Sequence, residues 1–92
     1  MAEESEIERI YTIPIRRYVV NLPRKRRTPA AVKVIKRYVS RHMKADESNV
    51  WIDPPVNEMI WARGIEHPPR SIKVRAVKFE DDNLVEVSLP EE

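Results

Sequence analysis

The side chains with the clearest chemistry in this sequence are its arginines and lysines, which bind anions. Between Arg16 and Lys44 the chain holds eleven Lys or Arg residues and no Asp or Glu. Fixed positive charge at this density neutralises phosphates and is typical of a nucleic-acid-binding surface. We therefore predict that this stretch binds nucleic acid. Its candidate phosphate-binding residues are Arg16, Arg17, Arg24, Lys25, Arg26, Arg27, Lys33, Arg37, Arg41 and Lys44.

The second half of this stretch has the residue spacing of an amphipathic helix. Thr28 is a suitable N-cap, Pro29 suits the first helical position, and the pattern ends near Ala45. Apolar residues recur at intervals of three and four, at Ala31, Val32, Ile35, Tyr38, Val39 and Met43. The last four basic residues of the set lie on the opposite side. Residues 24–27 would then form a cationic loop before the helix start, where the helix dipole also favours anions.

Groups that could support catalysis or hold a metal are sparse. The chain has no cysteine and one glycine, which excludes thiol chemistry, Cys-ligated zinc and a glycine-rich phosphate loop. His42 and Asp46 have the spacing of a metal-binding pair, but an enzyme built on them is the least favoured hypothesis. His67 has no spaced partner, and the acidic run at residues 80–82 is interpreted as a solvated turn. We predict a protein that is not an enzyme and uses no cofactor or metal.

Aromatic side chains are the second kind of candidate binding group. Tyr18 lies beside two arginines and is a candidate for contact with an unpaired RNA base. Trp51 and Trp61 have two interpretations, base stacking or core packing with the indole N–H satisfied at the rim. For Trp61, the apolar neighbours on the same predicted helix favour the core.

Length and charge bound the remaining possibilities. The chain of 92 residues suits one domain, lacks an apolar run that could span a bilayer, and begins with an acidic segment unlike a signal peptide, so we expect a cytoplasmic protein. The net charge is only +2, yet residues 9–78 carry all 17 Lys and Arg against five acidic residues, a net charge of +12. This asymmetry favours a polyanion partner over a merely solvated surface. Eight prolines, one glycine and 35% charged residues favour a heat-adapted source.

The elements that must position these groups include both strands and helices. We predict a strand over residues 7–15, followed by a basic connection over residues 16–27 that extends the strand through residues 18–20. The long helix comes next, and then a short strand at residues 50–52 and a short helix from Pro54 to about Arg63. Two further strands begin at Ile72 and Val85. The short helix has Asp53 as N-cap, Gly64 after its end, and Val56, Met59 and Ile60 on one side.

This order predicts an α+β fold. We expect a small single-domain two-layer sandwich in which one long and one short helix pack on a small mixed β-sheet. Residues 1–8 are predicted to be an acidic flexible leader, residues 9–89 a single RNA-binding domain, and residues 90–92 an acidic tail.

Several short motifs, in this order, give the chain a family resemblance. They are Arg9-Ile10-Tyr11-Thr12-Ile13, Lys25-Arg26-Arg27-Thr28-Pro29-Ala30-Ala31, Asn49-Val50-Trp51-Ile52-Asp53-Pro54 with Asn57, Ile60-Trp61-Ala62-Arg63-Gly64-Ile65, and Ile72-Lys73-Val74-Arg75. No single motif is specific, but the ordered set over residues 8–79 resembles ribosomal protein thirty-one of the archaeal and eukaryotic large subunit.

The resemblance implies a structural component of a ribonucleoprotein, bound to large-subunit rRNA near the polypeptide exit tunnel, with no catalysis and no cofactor. Residues 24–27, the corner Trp61-Ala62-Arg63-Gly64, and the strand residues Lys73 and Arg75 match the family's RNA-facing segments, which adds Trp61, Arg63, Lys73 and Arg75 to the candidate site. Neighbouring large-subunit proteins and nascent-chain factors at the tunnel exit are the further partners it suggests. Two departures are Ala30, where a basic residue is frequent in the family, and a C-terminus without the longer eukaryotic tail, which suits an archaeal source.

The residues by themselves do not separate rRNA from another polyanion. A small chromatin-type DNA-binding protein is the alternative, since the net charge suits it equally well. The acidic ends and the lack of a helix-turn-helix pattern weigh against that alternative.

Overall fold

A computed structural model describes residues 6–79 and 81–90 of the chain. The elements in chain order are β1 (Glu6–Ile13), α1 (Ile15–Val19), α2 (Arg24–Met43), a 3-10 turn (Glu47–Asn49), β2 (Val50–Ile52), α3 (Pro54–Trp61), β3 (Ile72–Phe79) and β4 (Leu84–Ser88). The strands form one sheet in the order β1-β3-β4-β2. β3 is antiparallel to β1 and β4, whereas β2 runs parallel to β4, so the sheet is mixed.

The predicted α+β sandwich with a mixed sheet is confirmed. Alternation along β3 places Ile72, Val74 and Ala76 in the core, and the spacing of four along α2 places Ile35 and Val39 there. These residues are at most 4% exposed, so α2 and the sheet bury one continuous apolar layer. The other face of the sheet carries no helix among the described residues.

The basic connection predicted at residues 16–27 is wrong in its first half, because α1 forms there. Pro14 ends β1 one residue after Ile13, as expected of a residue that cannot donate to the ladder. Ile15 and Val19, four residues apart, are both buried, so this segment folds as a helical turn and not as an extended strand. The backbone N–H of Arg16 donates to the Arg70 carbonyl at 2.9 Å, which joins α1 to the segment before β3.

The long helix begins one turn earlier than predicted, at Arg24. Thr28 is fully buried and is not the N-cap: its hydroxyl donates to the Gly64 carbonyl at 2.8 Å, and its N–H donates to the Ile65 carbonyl at 3.2 Å. Pro29 therefore lies inside α2, next to the backbone donor that is diverted to Ile65. The predicted cationic loop is the first turn of the helix, not a loop before it.

The other end of α2 is held by a side chain from the sheet. Lys44 adopts a left-handed conformation at the C-cap, with φ of 58°. Lys78 of β3 donates from Nζ to the Met43 carbonyl at 2.9 Å and to the Lys44 carbonyl at 3.5 Å. A cation at this position satisfies terminal carbonyls and complements the negative end of the helix dipole.

The short helix agrees with its prediction at its start and less well at its end. Asp53 is extended and precedes Pro54, but its side chain makes no capping hydrogen bond. The helix ends at Trp61, and Gly64 follows with a φ of +94°, which confirms the predicted left-handed residue. Val56 and Ile60 are buried, whereas Met59, which was predicted on the same side of the helix, is exposed.

Parts of the predicted ends lie outside the described residues. β1 begins at Glu6, so the last three residues of the predicted leader are in a strand, while residues 1–5 lie outside the described chain. Glu80 of the predicted turn and residues 91–92 of the predicted tail also lie outside it. The division into leader, RNA-binding domain and tail stays a prediction.

Candidate nucleic-acid interface

Four arginines converge on one cavity between α1, the start of α2 and residues 63–70. This arginine cavity has a volume of about 250 Å³. Its charged lining consists of Arg16, Arg27, Arg63, Arg70 and Glu66, and the rest of the wall is formed by Val19, Val20, His67 and the rigid pair Pro68-Pro69. Four guanidinium groups against one carboxylate give a concave surface that favours an anion. Guanidinium forks bind phosphate oxygens in a bidentate manner, so a phosphate suits this cavity.

Backbone contacts fix the shape of the arginine cavity. Arg27 donates from Nε to the Leu22 carbonyl at 3.1 Å and from Nη2 to the Val20 carbonyl at 3.0 Å. These carbonyls follow α1, so Arg27 ties the two helices together while lining the cavity. The bonds of Thr28 to residues 64 and 65 hold the opposite wall. Arg27 thus has a structural role that the sequence did not reveal.

The exposed face of α2 carries the predicted row of cations. Lys33, Arg37, Arg41 and Lys44 are all exposed, and we call them the basic row. Arg37 lies 3.6 Å from Glu47, and both side chains are more than half exposed. The first turn of α2 is also basic and contains no acidic residue. Cations are unfavourable at this positive end of the helix dipole unless an anion lies nearby.

Tyr18 of α1 and the middle of α2 enclose a second concavity of about 180 Å³. This tyrosine groove is lined by Tyr18, Val34, Arg37, Tyr38, Arg41 and His42. The structure therefore brings Tyr18 together with two arginines of the basic row. Tyr18 is 51% exposed, so its ring is not consumed by the core.

His42 belongs to an aromatic cluster and not to a metal site. Its ring stacks on Tyr38 with centroids 4.2 Å apart and an interplanar angle of 20°, and Tyr11 packs against both rings. His42 Nδ1 lies 2.8 Å from the Tyr38 carbonyl, which can only accept, so Nδ1 carries the proton. Within residues 6–79 and 81–90, no group of three or more His, Asp or Glu side chains is placed to hold a metal ion.

Tyr11 closes the base of this cluster. Its hydroxyl donates to Met43 Sδ at 3.2 Å. Partial burial raises the pKa of Tyr11 above its ordinary value of 10.0, because the charged phenolate would lose hydration. The neutral ring therefore supports Tyr38 and His42 from the core side.

The two predicted strand residues lie on a different surface. Lys73 and Arg75 alternate with the buried residues of β3 and so lie on the outer sheet face, opposite the helices. Arg75 donates to Glu8 of β1, from Nε to Oε2 at 2.6 Å and from Nη2 to Oε1 at 3.3 Å. This bond, foremost, lowers the pKa of the Glu8 carboxyl below its ordinary value of 4.5. Arg75 is thus engaged with a carboxylate in the folded chain.

The remaining site predictions fall at the edges of these surfaces. Arg17, Arg24, Lys25 and Arg26 are exposed on α1 and on the first turn of α2. Trp61 is 38% exposed at the end of α3, so the expectation that it packs the core is wrong. Trp51 is 49% exposed on β2, where it lines a concavity together with Val32 and Lys36 of α2.

Among the arginine and histidine residues that line the arginine cavity, sequence reasoning missed two, Arg70 and His67. Both flank the pair Pro68-Pro69, which the sequence indicated only as a break in regular structure. An arginine next to a stiff segment that leads into a strand can indicate a binding residue. Here the sequence could not show that Arg70 faces α1, because α1 was not predicted.

These features define a small α+β protein with a concave, arginine-lined surface. A family model described as Ribosomal protein L31e matches residues 5–83. The large ribosomal subunit protein eL31 of Methanopyrus kandleri is 50% identical over 84 residues, covering 91% of this chain and 93% of the relative. The proteins of the same name from Methanothermobacter thermautotrophicus and Thermoplasma acidophilum are 47% and 38% identical, covering 92% and 98% of this chain and 100% of each relative.

The chain belongs to the ribosomal protein L31e family. The family model matches most of the chain, and the archaeal relatives align with the chain almost from end to end. The predicted resemblance is therefore confirmed, and the chain is a ribosomal protein and not an enzyme. No helix among the described residues has the length and apolar character needed to cross a membrane.

Proposed function

We propose that this chain is a structural constituent of the large ribosomal subunit in the cytoplasm and binds large-subunit rRNA through its helical side. By helical side we mean the arginine cavity, the basic row, the tyrosine groove and the first turn of α2. The observation that carries the proposal is the convergence of Arg16, Arg27, Arg63 and Arg70 on one cavity. Relatives of similar length are named large ribosomal subunit proteins, which supports the rRNA as the polyanion.

Binding on this side is mostly neutralisation of phosphates. α2 has 20 residues and so spans about 30 Å, and it carries cations from its first turn to its end. A row of cations this long can follow the phosphate backbone of the RNA. The arginine cavity receives a single phosphate that protrudes from that backbone. Because neither surface presents a pattern for base edges, the shape of the RNA selects the site more than its sequence does.

The proposal ranks the predicted contact residues. Those of α1, α2 and the corner with Trp61 and Arg63 are expected to bind the rRNA, together with Arg70. Lys73 lies on the outer sheet face and is expected to contribute less than the residues of the helical side. Arg75 is expected to contribute least, because its guanidinium group already bonds the Glu8 carboxylate.

Sedimentation of cell lysate tests the ribosomal assignment. The protein is expected to migrate with large subunits at moderate salt and to dissociate at high salt, because each phosphate contact releases bound counterions. Ribonuclease treatment should release it, and deoxyribonuclease treatment should not. Migration with free proteins, or with DNA after ribonuclease, would reject the assignment and favour the chromatin alternative.

The position near the polypeptide exit tunnel is supported by the family resemblance. If the helical side faces rRNA, the outer sheet face is the surface left for other ribosomal proteins or nascent-chain factors. A photo-crosslinking group in place of Ile10, which is 54% exposed on that face, should then react with protein. The same group in place of Lys33 should react with rRNA. If the two adducts were exchanged, the proposed orientation would be wrong.

A further inference from the structure

We propose that the tyrosine groove binds one unpaired base of the rRNA, stacked on the ring of Tyr18. This inference rests on the proposed function, because it names a second kind of contact on the same helical side. It assigns base stacking to residues whose charge alone would indicate only phosphate contact.

The aromatic surfaces of the groove are fixed before any ligand binds. Tyr38 and His42 stack at 4.2 Å, and Tyr11 packs edge-on against Tyr38, with centroids 5.8 Å apart, and tilted against His42, with centroids 5.2 Å apart. The hydrogen bond from His42 Nδ1 to the Tyr38 carbonyl sets the orientation of the imidazole. One wall of the groove is therefore rigid, and Tyr18 on α1 forms part of another.

The exposure of Tyr18 is the feature that core packing does not explain. Tyr18 is 51% exposed although α1 buries two aliphatic neighbours, Ile15 and Val19, completely or nearly so. Within the described residues its hydroxyl forms no hydrogen bond. A half-exposed aromatic ring over a concave surface offers a π-face to a base and loses little conformational entropy on binding.

The charges around the groove match a nucleotide better than an isolated ring. Arg37 and Arg41 line it one helical turn apart, so a base in the groove places its own phosphate beside two guanidinium groups. Val34 supplies the apolar floor. The salt bridge of Arg37 to Glu47 is long, at 3.6 Å, and exposed, so a phosphate can displace it at little cost. Stacking of this kind tolerates any base, and Nε2 of His42 is the ring nitrogen left to bond a base edge.

Footprinting on the natural RNA tests the proposal. Large subunits stripped of this protein by high salt are reloaded with the wild-type chain or a variant. The rRNA is then treated with base-modifying reagents and, separately, with hydroxyl radicals that report the backbone. The wild-type chain should protect the backbone and at least one unpaired base. Tyr18→Ala should expose that base while the backbone protection remains, and Tyr18→Phe should behave as the wild type does.

Rebinding affinities give a second readout. Tyr18→Ala should weaken rebinding by roughly 5- to 150-fold, the equivalent of one aromatic stack, with an unchanged dependence on salt. Trp51→Ala is the matched control, because Trp51 is 49% exposed, close to the 51% of Tyr18, but does not line the tyrosine groove, and its rebinding should be unchanged. Circular dichroism melting of each variant checks the fold.

The outcomes separate this inference from the proposed function. If the wild-type chain protects the backbone but no base whose protection depends on Tyr18, the groove is not a base site, although the rRNA assignment stands. A protein segment occupying the groove would give the same negative result. If the wild-type chain protects no backbone at all, the rRNA-binding proposal fails and this inference fails with it.

Discussion

The helical side and the outer sheet face both carry lysine and arginine, but they differ in how closely these cations are paired with carboxylates. α2 has eight Lys or Arg residues and no acidic residue, and its nearest carboxylate partner is Glu47, beyond its end. On the outer sheet face, Lys73 and Arg75 share the surface with Glu8 and Glu86. Arg75 is bonded to Glu8 by two hydrogen bonds, whereas no arginine of the basic row has a carboxylate closer than 3.6 Å among the described residues.

This difference teaches that the arrangement of carboxylates, more than the number of cations, decides which surface can take up a polyanion. A guanidinium group that already bonds a carboxylate must exchange that bond for a phosphate and gains little. Among the described residues, the only carboxylate pair of an α2 cation is the long, exposed one between Arg37 and Glu47. The following predictions test this contrast between the helical side and the outer sheet face. They begin with the apolar core between α2 and the sheet, which supports both surfaces.

Ile35→Ala should have the largest effect, because Ile35 is fully buried between α2 and the sheet. Loss of its side chain removes apolar burial and leaves a cavity, so the free energy of unfolding should fall by about 2–5 kcal/mol. Urea denaturation measures this value. Ile10→Ala, the same exchange on the outer sheet face, should change it by less than about 0.5 kcal/mol. Equal stabilities for the two variants would show that the buried face of α2 is assigned wrongly.

Arg27→Ala should come next, because this residue acts on both folding and binding. Its guanidinium group bonds the Leu22 and Val20 carbonyls, so its loss should lower the free energy of unfolding by about 1–2 kcal/mol. Arg27→Lys is the control, since a lysine keeps the charge but cannot bond both carbonyls in a fork. It should recover RNA binding more than it recovers stability. Wild-type stability in both variants would leave Arg27 with a binding role only.

The residues that the sequence failed to place are those whose partners are distant in the chain. The apolar spacing of α2 and β3 predicted the core correctly, because the periods of 3.6 and 2 are local properties. The motif Thr28-Pro29 is equally local evidence for a helix start, and it was misleading. Thr28 instead bonds residues 64 and 65, and this contact, 36 residues away, lets the helix begin at Arg24.

In the candidate site, too, local patterns were predictable and contacts between distant segments were not. The basic row was predictable because its members repeat along one helix face, and all four are exposed as expected. The arginine cavity was not, because it joins three separate segments through α1. Whether Trp61 is buried or exposed could not be predicted from its position on the helix. The helix ends at Trp61, and the residue lies at the surface, 38% exposed.

Arg26→Ala should affect binding without affecting folding. Arg26 is exposed on the first turn of α2 and forms no side-chain hydrogen bond or ion pair within the described residues. Removing one phosphate contact should reduce the slope of log affinity against log salt by about 0.7–0.9 for every RNA tested. Arg75→Ala, an arginine on the other surface, should reduce it much less. Equal reductions would mean that the pairing with Glu8 does not restrain Arg75, which would remove the contrast between the two surfaces.

The smallest expected effect is the response of Glu8 to the loss of Arg75. In the folded chain the hydrogen bond from Arg75 lowers the pKa of the Glu8 carboxyl below its ordinary value of 4.5. The stabilisation from this bond is therefore present above pH 4.5 and is lost as the pH falls through the lowered pKa. Arg75→Ala should return the pKa to its ordinary range in an NMR titration of the carboxyl carbon, with little change in stability because the pair is exposed. An unchanged pKa would show that Arg75 does not hold this carboxylate in solution, and the Glu8 bond could then not explain a difference between Arg75 and the cations of α2.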